Sequence, residues 1–91
     1  MDNAVRDNAE RRRFELDVDG QVAFSNYSRS GNVLTILHTE VPEALNGRGI
    51  GSALVRGELD TARAQGWKVV ARCPFVAAYL ARHPEYADLQ S

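Results

Sequence analysis

The sequence predicts one mixed α/β (α+β) domain, in which a sheet of about four strands packs against two main helices in the order β-β-β-α-β-α. Three observations predict it: strand-like apolar patterns before residue 42, a helical apolar stripe from 50 to 65, and a short apolar run at 67–73. A chain of 91 residues has room for one hydrophobic core. We therefore assign residues 1–12 to a polar leader and residues 13–91 to a single domain.

A β-hairpin is predicted first, because apolar and polar residues alternate on both sides of the tight-turn signal Asp19-Gly20. The segment 33–41 (VLTILHTEV) is rich in β-branched residues, which favours a central third strand. Pro42 has no N–H for a ladder hydrogen bond, so it ends or splays this strand.

The first helix is predicted to start near Gly49 and to stop at Gly66. Its apolar stripe consists of Ile50, Leu54, Val55, Leu59 and Ala62. Gly57 lies in mid-helix, where glycine costs about 1 kcal/mol relative to alanine. Such a glycine suggests that another element approaches the helix closely at this point.

The segment from Trp67 to Cys73 (WKVVARC) predicts a fourth strand. Because a helical crossover separates it from the third strand, the two are expected to lie parallel with a right-handed connection. Pro74 suits the first position of a second helix, which His83-Pro84 ends or interrupts. The apolar stripe of this helix is Phe75, Val76, Tyr79, Leu80 and His83.

Composition excludes several classes of function. The 11 basic and 12 acidic residues give a net charge of -1, so no protein-wide positive field attracts nucleic acid or an anionic membrane. The single cysteine, Cys73, rules out an intramolecular disulfide and a zinc site of several thiolates, and we predict no metal. The polar start and the lack of a long apolar run predict a cytoplasmic protein. A homodimer would help so small a domain to bury apolar surface.

A glycine-rich turn from Asn46 to Ser52 precedes the first helix. Backbone N–H groups at a helix start can bind a pyrophosphate, and glycines let it approach. Arg48 can add a charge and Ser52 a hydroxyl donor. The alternative is a merely flexible turn. The segment has neither the Gly-Lys-Ser/Thr ending of an NTPase loop nor the GxGxxG spacing of a dinucleotide-binding fold.

The hexapeptide Asn46-Gly47-Arg48-Gly49-Ile50-Gly51 resembles the Q/R-x-x-G-x-G/A acetyl-CoA motif of the GNAT acetyltransferase superfamily. Three further motifs strengthen the likeness to short stand-alone GNAT-like proteins often described as predicted N-acetyltransferases: His38-Thr39-Glu40-Val41-Pro42, Cys73-Pro74-Phe75 and His83-Pro84-Glu85-Tyr86. The resemblance spans about Phe14 to Leu89. It implies a minimal GNAT-like fold, acetyl-CoA as co-substrate, and transfer of the acetyl group to an amine, either a small molecule or a protein lysine or amino terminus.

The resemblance also implies a binding site. The strand from His38 to Val41, with Thr39 and Val41, is expected to lend backbone groups to the pantetheine arm. The pyrophosphate site is expected to consist of Asn46, Gly47, Arg48, Gly49, Ile50, Gly51 and Ser52. Two features depart from the superfamily: Asn46 replaces Gln or Arg, and the amino-terminal strand and helices that shape the acceptor site in full-length enzymes are not expected. A non-catalytic coenzyme A-binding or protein-interaction module therefore stays open as the alternative.

Four residues are candidates for catalysis. His38 and Glu40 lie two apart on a strand and so face the same side, where they can accept the proton of the amine. Cys73, at the start of the second helix, can act as a nucleophile that carries the acetyl group transiently. The resemblance suggests Tyr79 as the acid for the leaving thiolate. The alternatives are a strand-end histidine with a solvated glutamate, a buried structural thiol, and a core tyrosine.

Overall fold

The structure is a computed structural model that describes residues 4–91. Five strands form one sheet in the order β1-β2-β3-β4-β5, and all neighbouring pairs are antiparallel except the parallel pair β4 and β5. The elements are β1 (Arg6–Asn8), β2 (Arg13–Val18), β3 (Gln21–Ser30), β4 (Val33–Glu40), α1 (Ile50–Gln65), β5 (Lys68–Ala71) and α2 (Pro74–Arg82). Two 3-10 helices complete the chain, at Glu43–Leu45 and Pro84–Leu89. The predicted fold class, with a mixed sheet and two main helices, is confirmed.

The β2-β3 connection is the predicted tight hairpin. Asp19 and Gly20 both have positive φ angles, 51° and 77°, as a two-residue type I′ turn requires. Val18 therefore pairs directly with Gln21, and the register continues to Arg13 opposite Asn26. This register places Phe14 and Leu16 on the core face with Ser25 and Ala23, whereas Phe24 and Val22 lie on the other face, opposite Glu15 and Asp17.

Strand β1 lies inside the segment that the sequence predicted as a polar leader, and no amino-terminal strand was expected. Its residues lack an apolar alternation, so the strand pattern does not reveal it. Polar contacts hold it instead, because Arg6 forms ion pairs with both Glu15 and Asp17 on β2. Just before β1, Val5 contacts Gly57, and a Cβ atom at Gly57 would overlap the Val5 side chain. Val5 thus supplies the close approach that this glycine predicted.

Strand β4 contains a β-bulge. Ile36 pairs with Tyr27 and His38 pairs with Asn26, which leaves Leu37 as an extra residue on β4. Pairing with β5 stops at Ile36 opposite Ala71, so the last four residues of β4 have no partner on that side. The two parallel strands therefore diverge just before Pro42, as the proline predicted.

The core lies between the sheet and the helices. On α1, the residues Leu54, Val55, Leu59 and Ala62 are fully buried, as their spacing predicted. The largest fully buried side chains that face them from the strands are Phe14, Leu16, Leu34, Ile36 and Val69. The buried residues of α2 are Val76, Tyr79 and Leu80. In residues 4–91, no helix is long and apolar enough to cross a membrane.

Candidate active site

The turn that leads into α1 depends on two glycines in the left-handed region. Gly47 has a φ of 80° and Gly49, the N-cap of α1, a φ of 71°. Other residues adopt these angles only at a cost. The glycines therefore set the path of the backbone here, in addition to removing side chains.

The start of α1 offers unused hydrogen-bond donors. The first helical bond runs from the Ala53 N–H to the Gly49 carbonyl, so the N–H groups of Ile50, Gly51 and Ser52 have no partner within the helix. The N-cap contributes no side-chain bond, and the first turn carries no acidic residue. These N–H groups and the helix dipole favour an anion at this end.

An open cavity of about 230 Å³ lies against these donors. The residues that line it are Val41, Leu45, Asn46, Gly47, Gly49, Ile50, Gly51, Ser52 and Phe75. Phe75 is 41% exposed and packs closely on Gly51, where a Cβ atom would lie 2.8 Å from the ring. The cavity therefore joins a polar backbone edge to an apolar wall.

Arg48 lies on the flank of the turn, where its guanidinium donates to the Asp19 carboxylate at 2.7 Å. Both side chains are exposed, so the ion pair is worth at most about 1 kcal/mol. Arg48 thus provides a positive charge at the turn, but Asp19 neutralises part of it.

The divergence of β4 and β5 continues from this cavity. The N–H groups of both Arg72 and Cys73 donate to the Ile36 carbonyl, which is the last link between the two strands. Beyond it, the β5-facing edge of β4 is open from Leu37 to Glu40, and Val41 then lines the cavity. An extended, amide-containing ligand can pair with such an edge.

Cys73 lies beside this open edge, at the N-cap of α2. It is a free thiol, 4% exposed, and its Sγ donates to the Thr39 Oγ1 atom at 3.5 Å. Because Thr39 pairs with the fully buried Ser25, the thiol lies on the face of the sheet that the helices cover.

His38 and Glu40 lie on the opposite face of the sheet, because side chains alternate along a strand. Their side chains are 59% and 56% exposed, and His38 Nε2 lies 2.9 Å from Glu40 Oε2. The predicted pair does form. The structure does not bring it together with Cys73, which lies across the strand.

Tyr79 is buried in α2, where its ring stacks on the His83 imidazole at a centroid distance of 3.8 Å. His83 Nδ1 in turn donates to the Tyr79 carbonyl at 2.8 Å. Tyr79 therefore packs in the core beside the end of α2, six residues along the chain from Cys73.

Comparison with known proteins agrees with this architecture. The family model described as GCN5-related N-acetyl-transferase matches residues 13–89. The chain belongs to this family. It is also similar to the NMR solution structure of a "GCN5-like putative N-acetyltransferase" from Staphylococcus aureus, with a TM-score of 0.74, 26% identity, and coverage of 100% of this chain and 91% of that one. A search of curated proteins found no match.

In this GCN5-related domain, the sequence analysis did not foresee the positions of three residues. Phe75 was assigned to the apolar stripe of α2, but it lines the cavity. Glu58 and Ser25 are completely buried. Glu58 carried a signal, since it follows Leu54 by four residues and Val55 by three, which places a carboxyl group on the buried face of α1.

Burial raises the pKa of Glu58 from 4.5 to about 8, and the Ser25 hydroxyl lowers it in part. Neither carboxyl oxygen makes a hydrogen bond of ordinary geometry, so Ser25 lies near the group without fully satisfying it. Glu58 is therefore mostly neutral at pH 7. In residues 4–91, no group of three or more His, Cys, Asp or Glu side chains is placed to hold a metal ion.

Proposed function

We propose that this member of the GCN5-related family binds acetyl-CoA at the turn from Asn46 to Ser52 and transfers the acetyl group to an amine. The observation that carries the proposal is the continuity of the cavity at the start of α1 with the divergence of β4 and β5. Charged pyrophosphate suits one end of this path, and the amide-containing pantetheine arm suits the other.

The pyrophosphate is assigned to the free N–H groups of Ile50, Gly51 and Ser52, with Arg48 on the flank. A hydrogen bond to a charged group contributes about 1.5–3 kcal/mol. Three such bonds anchor a nucleotide on a protein whose net charge is close to zero. Asn46, although shorter than Gln or Arg, lines the same cavity.

The pantetheine arm is assigned to the open edge of β4, where Thr39 and Val41 provide backbone groups, with Phe75 as an apolar neighbour. An arm that follows this edge brings the thioester close to Cys73. The Cys73 thiolate then attacks the acetyl carbonyl, and the bond to the coenzyme A sulfur breaks as coenzyme A leaves as a thiolate. An amine attacks the new thioester in a second step, which forms the amide and frees the Cys73 sulfur.

His38 and Glu40 are assigned to the amine and not to the thioester. They form an exposed hydrogen-bonded pair next to the bulge, on the face of the sheet opposite Cys73, so they can accept the proton of an amine before it reaches the thioester. Because the pair is open to solvent, an amine on a protein, such as a lysine or an amino terminus, can reach it as well as a small molecule. Tyr79 remains the proposed acid for the coenzyme A thiolate, although its ring is buried beside His83.

Thermal-shift titration with acetyl-CoA and coenzyme A tests the binding site. Gly49→Glu places a carboxylate where the pyrophosphate binds, and it is expected to abolish the ligand-induced rise in Tm. Gly31→Glu is a matched control, because Gly31 also has a positive φ, 59°, and open space around its Cα, but lies in the β3-β4 turn. An unchanged shift in Gly49→Glu, or none in the wild type at saturating ligand, contradicts the site.

Intact-mass spectrometry after incubation with acetyl-CoA tests the chemistry. The wild type is expected to gain one acetyl group and Cys73→Ala none. An adduct that persists in Cys73→Ala, or none on the wild type, rejects the cysteine intermediate. Release of coenzyme A with amines and peptide pools measures turnover; binding without release identifies a non-catalytic coenzyme A-binding module. The predicted homodimer is checked by sedimentation, and the predicted cytoplasmic location by cell fractionation.

A further inference from the structure

The side chain of Thr39 contacts the Cys73 sulfur from β4. The Cys73 Sγ atom donates to the Thr39 Oγ1 atom at 3.5 Å, and it forms no hydrogen bond with the N–H groups of the helix that Cys73 caps. Thr39 is therefore the side chain in residues 4–91 with which the Cys73 sulfur forms a hydrogen bond. A hydroxyl group that accepts from a thiol can turn and donate to a thiolate, because it carries both a donor and acceptor positions.

A second hydroxyl group holds the Thr39 side chain. Ser25 is completely buried on β3, and its Oγ atom lies 2.8 Å from the Thr39 Oγ1 atom. The Tyr27 N–H donates to the Arg12 carbonyl just before β2, so the backbone groups of Ser25, two residues earlier, also face β2. Ser25 and Thr39 are therefore a non-hydrogen-bonded pair of β3 and β4, in which side chains approach each other most closely.

The backbone of Thr39 faces the proposed path of the ligand. In a non-hydrogen-bonded pair, the N–H and C=O groups of each residue point away from the partner strand. For Thr39 this direction is the β5 side of β4, which is open beyond Ile36. Thr39 thus places its backbone groups at the open edge and its hydroxyl group at the Cys73 sulfur.

We propose that Thr39 is a positioning residue for Cys73, whose hydroxyl group donates to the thiolate form of the sulfur while Ser25 holds it in that direction. When the S–H bond breaks, the proton passes to water and the electron pair stays on the sulfur. The Thr39 hydroxyl turns from acceptor to donor, and the Ser25 hydroxyl donates to the Thr39 oxygen. The inference rests on the proposed function for the use of the thiolate in acetyl transfer, but the role of the two hydroxyls can be measured without coenzyme A.

Burial makes this donor effective. Cys73 is 4% exposed and Ser25 is completely buried, so little water competes for the sulfur. A charged group in such surroundings is costly unless a donor reaches it. Hydrogen bonds to charged groups are stronger than those between neutral groups, so the Thr39 hydroxyl stabilises the thiolate more than the thiol. The equilibrium therefore shifts towards the reactive form of Cys73.

Alkylation by iodoacetamide tests the proposal, because this small reagent reacts with thiolates and does not need the coenzyme A site. Cys73 is the only cysteine, so intact-mass spectrometry follows the reaction at one atom. The rate is measured from about pH 6 to about pH 10. The plateau at high pH reports access to the sulfur, and the pH at the midpoint of the rise reports how easily the thiol ionises. Circular dichroism verifies that each variant is folded.

Thr39→Val removes the donor and keeps the shape of the side chain. Its midpoint is expected to lie about one pH unit above that of the wild type, with a similar plateau, so the rate below both midpoints falls about tenfold. Thr39→Ser restores a hydroxyl group and should recover most of the rate. Thr35→Val is the matched control, because Thr35 is also half-buried on β4 but lies on the face of the sheet away from Cys73.

Ser25→Ala separates positioning from packing. It leaves the Thr39 hydroxyl in place without its partner, so the midpoint should rise by about half a pH unit and the rate should fall about threefold. In the Thr39→Val background, Ser25→Ala should cause no further shift, because Ser25 acts through Thr39. Two residues that only fill space would lower Tm and leave the midpoint unchanged. Either single variant is decisive if the other does not fold.

Three results overturn the proposal: a midpoint in Thr39→Val within about 0.2 pH units of the wild type, an equal shift in Thr35→Val, or a wild-type Cys73 that resists alkylation at every pH. Additive shifts in the double variant overturn the role of Ser25. The titration with coenzyme A is read separately. If coenzyme A does not bind while the alkylation midpoints shift as expected, the proposed function fails and the positioning role stands.

Discussion

Replacing Glu58 by leucine tests whether the Glu58 carboxyl group, on the buried face of α1, is neutral in the folded protein. The native side chain is fully buried without a hydrogen bond, and its pKa rises from 4.5 to about 8 on folding. Between these two values the unfolded chain has released the proton that the folded chain still holds. Stability therefore falls as the pH rises from about 4.5 to about 8, and it levels off above that.

The size of the effect follows from the two pKa values. Each pH unit between them lowers the free energy of unfolding by about 1.4 kcal/mol, so the full cost approaches about 5 kcal/mol above pH 8. At pH 5 most of this cost is absent. Leucine has a similar size and no charge to bury, so the stability gained by Glu58→Leu over the wild type should be roughly 3–4 kcal/mol larger at pH 8 than at pH 5. A domain of this kind has a total stability of about 5–15 kcal/mol, so the change is large.

Urea unfolding followed by far-UV circular dichroism, at pH 5 and pH 8, measures the effect. Comparing the variant with the wild type at each pH removes contributions from groups that both proteins share, such as Glu15. Glu58→Gln should lose the same pH dependence, and Glu10→Gln should keep it. If the gain of Glu58→Leu differs by less than about 1 kcal/mol between the two pH values, Glu58 is not a neutral acid in the folded protein.

Two further predictions come from contacts elsewhere in the structure. Gly57→Ala should lower Tm, because overlap with Val5 costs about 1–3 kcal/mol and outweighs a helix-propensity gain of about 1 kcal/mol. In a Val5→Gly background the same substitution should raise Tm. A change of Tm in the same direction in both backgrounds refutes the contact. Asp19→Asn releases Arg48 from its ion pair, and asparagine tolerates the positive φ of the hairpin turn. Coenzyme A should therefore bind about two- to fivefold more tightly, as measured by calorimetry. Weaker binding would mean that Asp19 positions Arg48 for the ligand.

Much of the fold follows from local signals. The Asp19-Gly20 turn, the αL residue Gly66 that ends α1, and Pro74 at the start of α2 all act through backbone preferences of one or two residues. The parallel pairing of β4 with β5 follows from the length of the crossover between them. The turn from Asn46 to Ser52 could also be predicted from local signals, because its proposed role depends on backbone N–H groups and on the conformations that glycine allows.

Strand β1 could not be predicted in this way. Its residues Arg6, Asp7 and Asn8 have no apolar pattern, and Arg6 is held by carboxylates on β2 whose positions depend on the register of the sheet. A short polar segment becomes a strand only where a partner edge with complementary charge is available. That condition lies in the tertiary structure.

The amino-acid sequence by itself determined the order of the elements, the glycine turn and the likeness to GNAT proteins, because these depend on residue types at fixed spacings. Tertiary structure alone decided which side chains meet. The extra residue Leu37 shifts the alternation of β4, so that Thr39 faces Ser25 and the helices while His38 faces outward. The same packing joins Cys73, Thr39 and Ser25 by hydrogen bonds. Residues from three separate elements meet there, and no spacing along the chain encodes their distance in space.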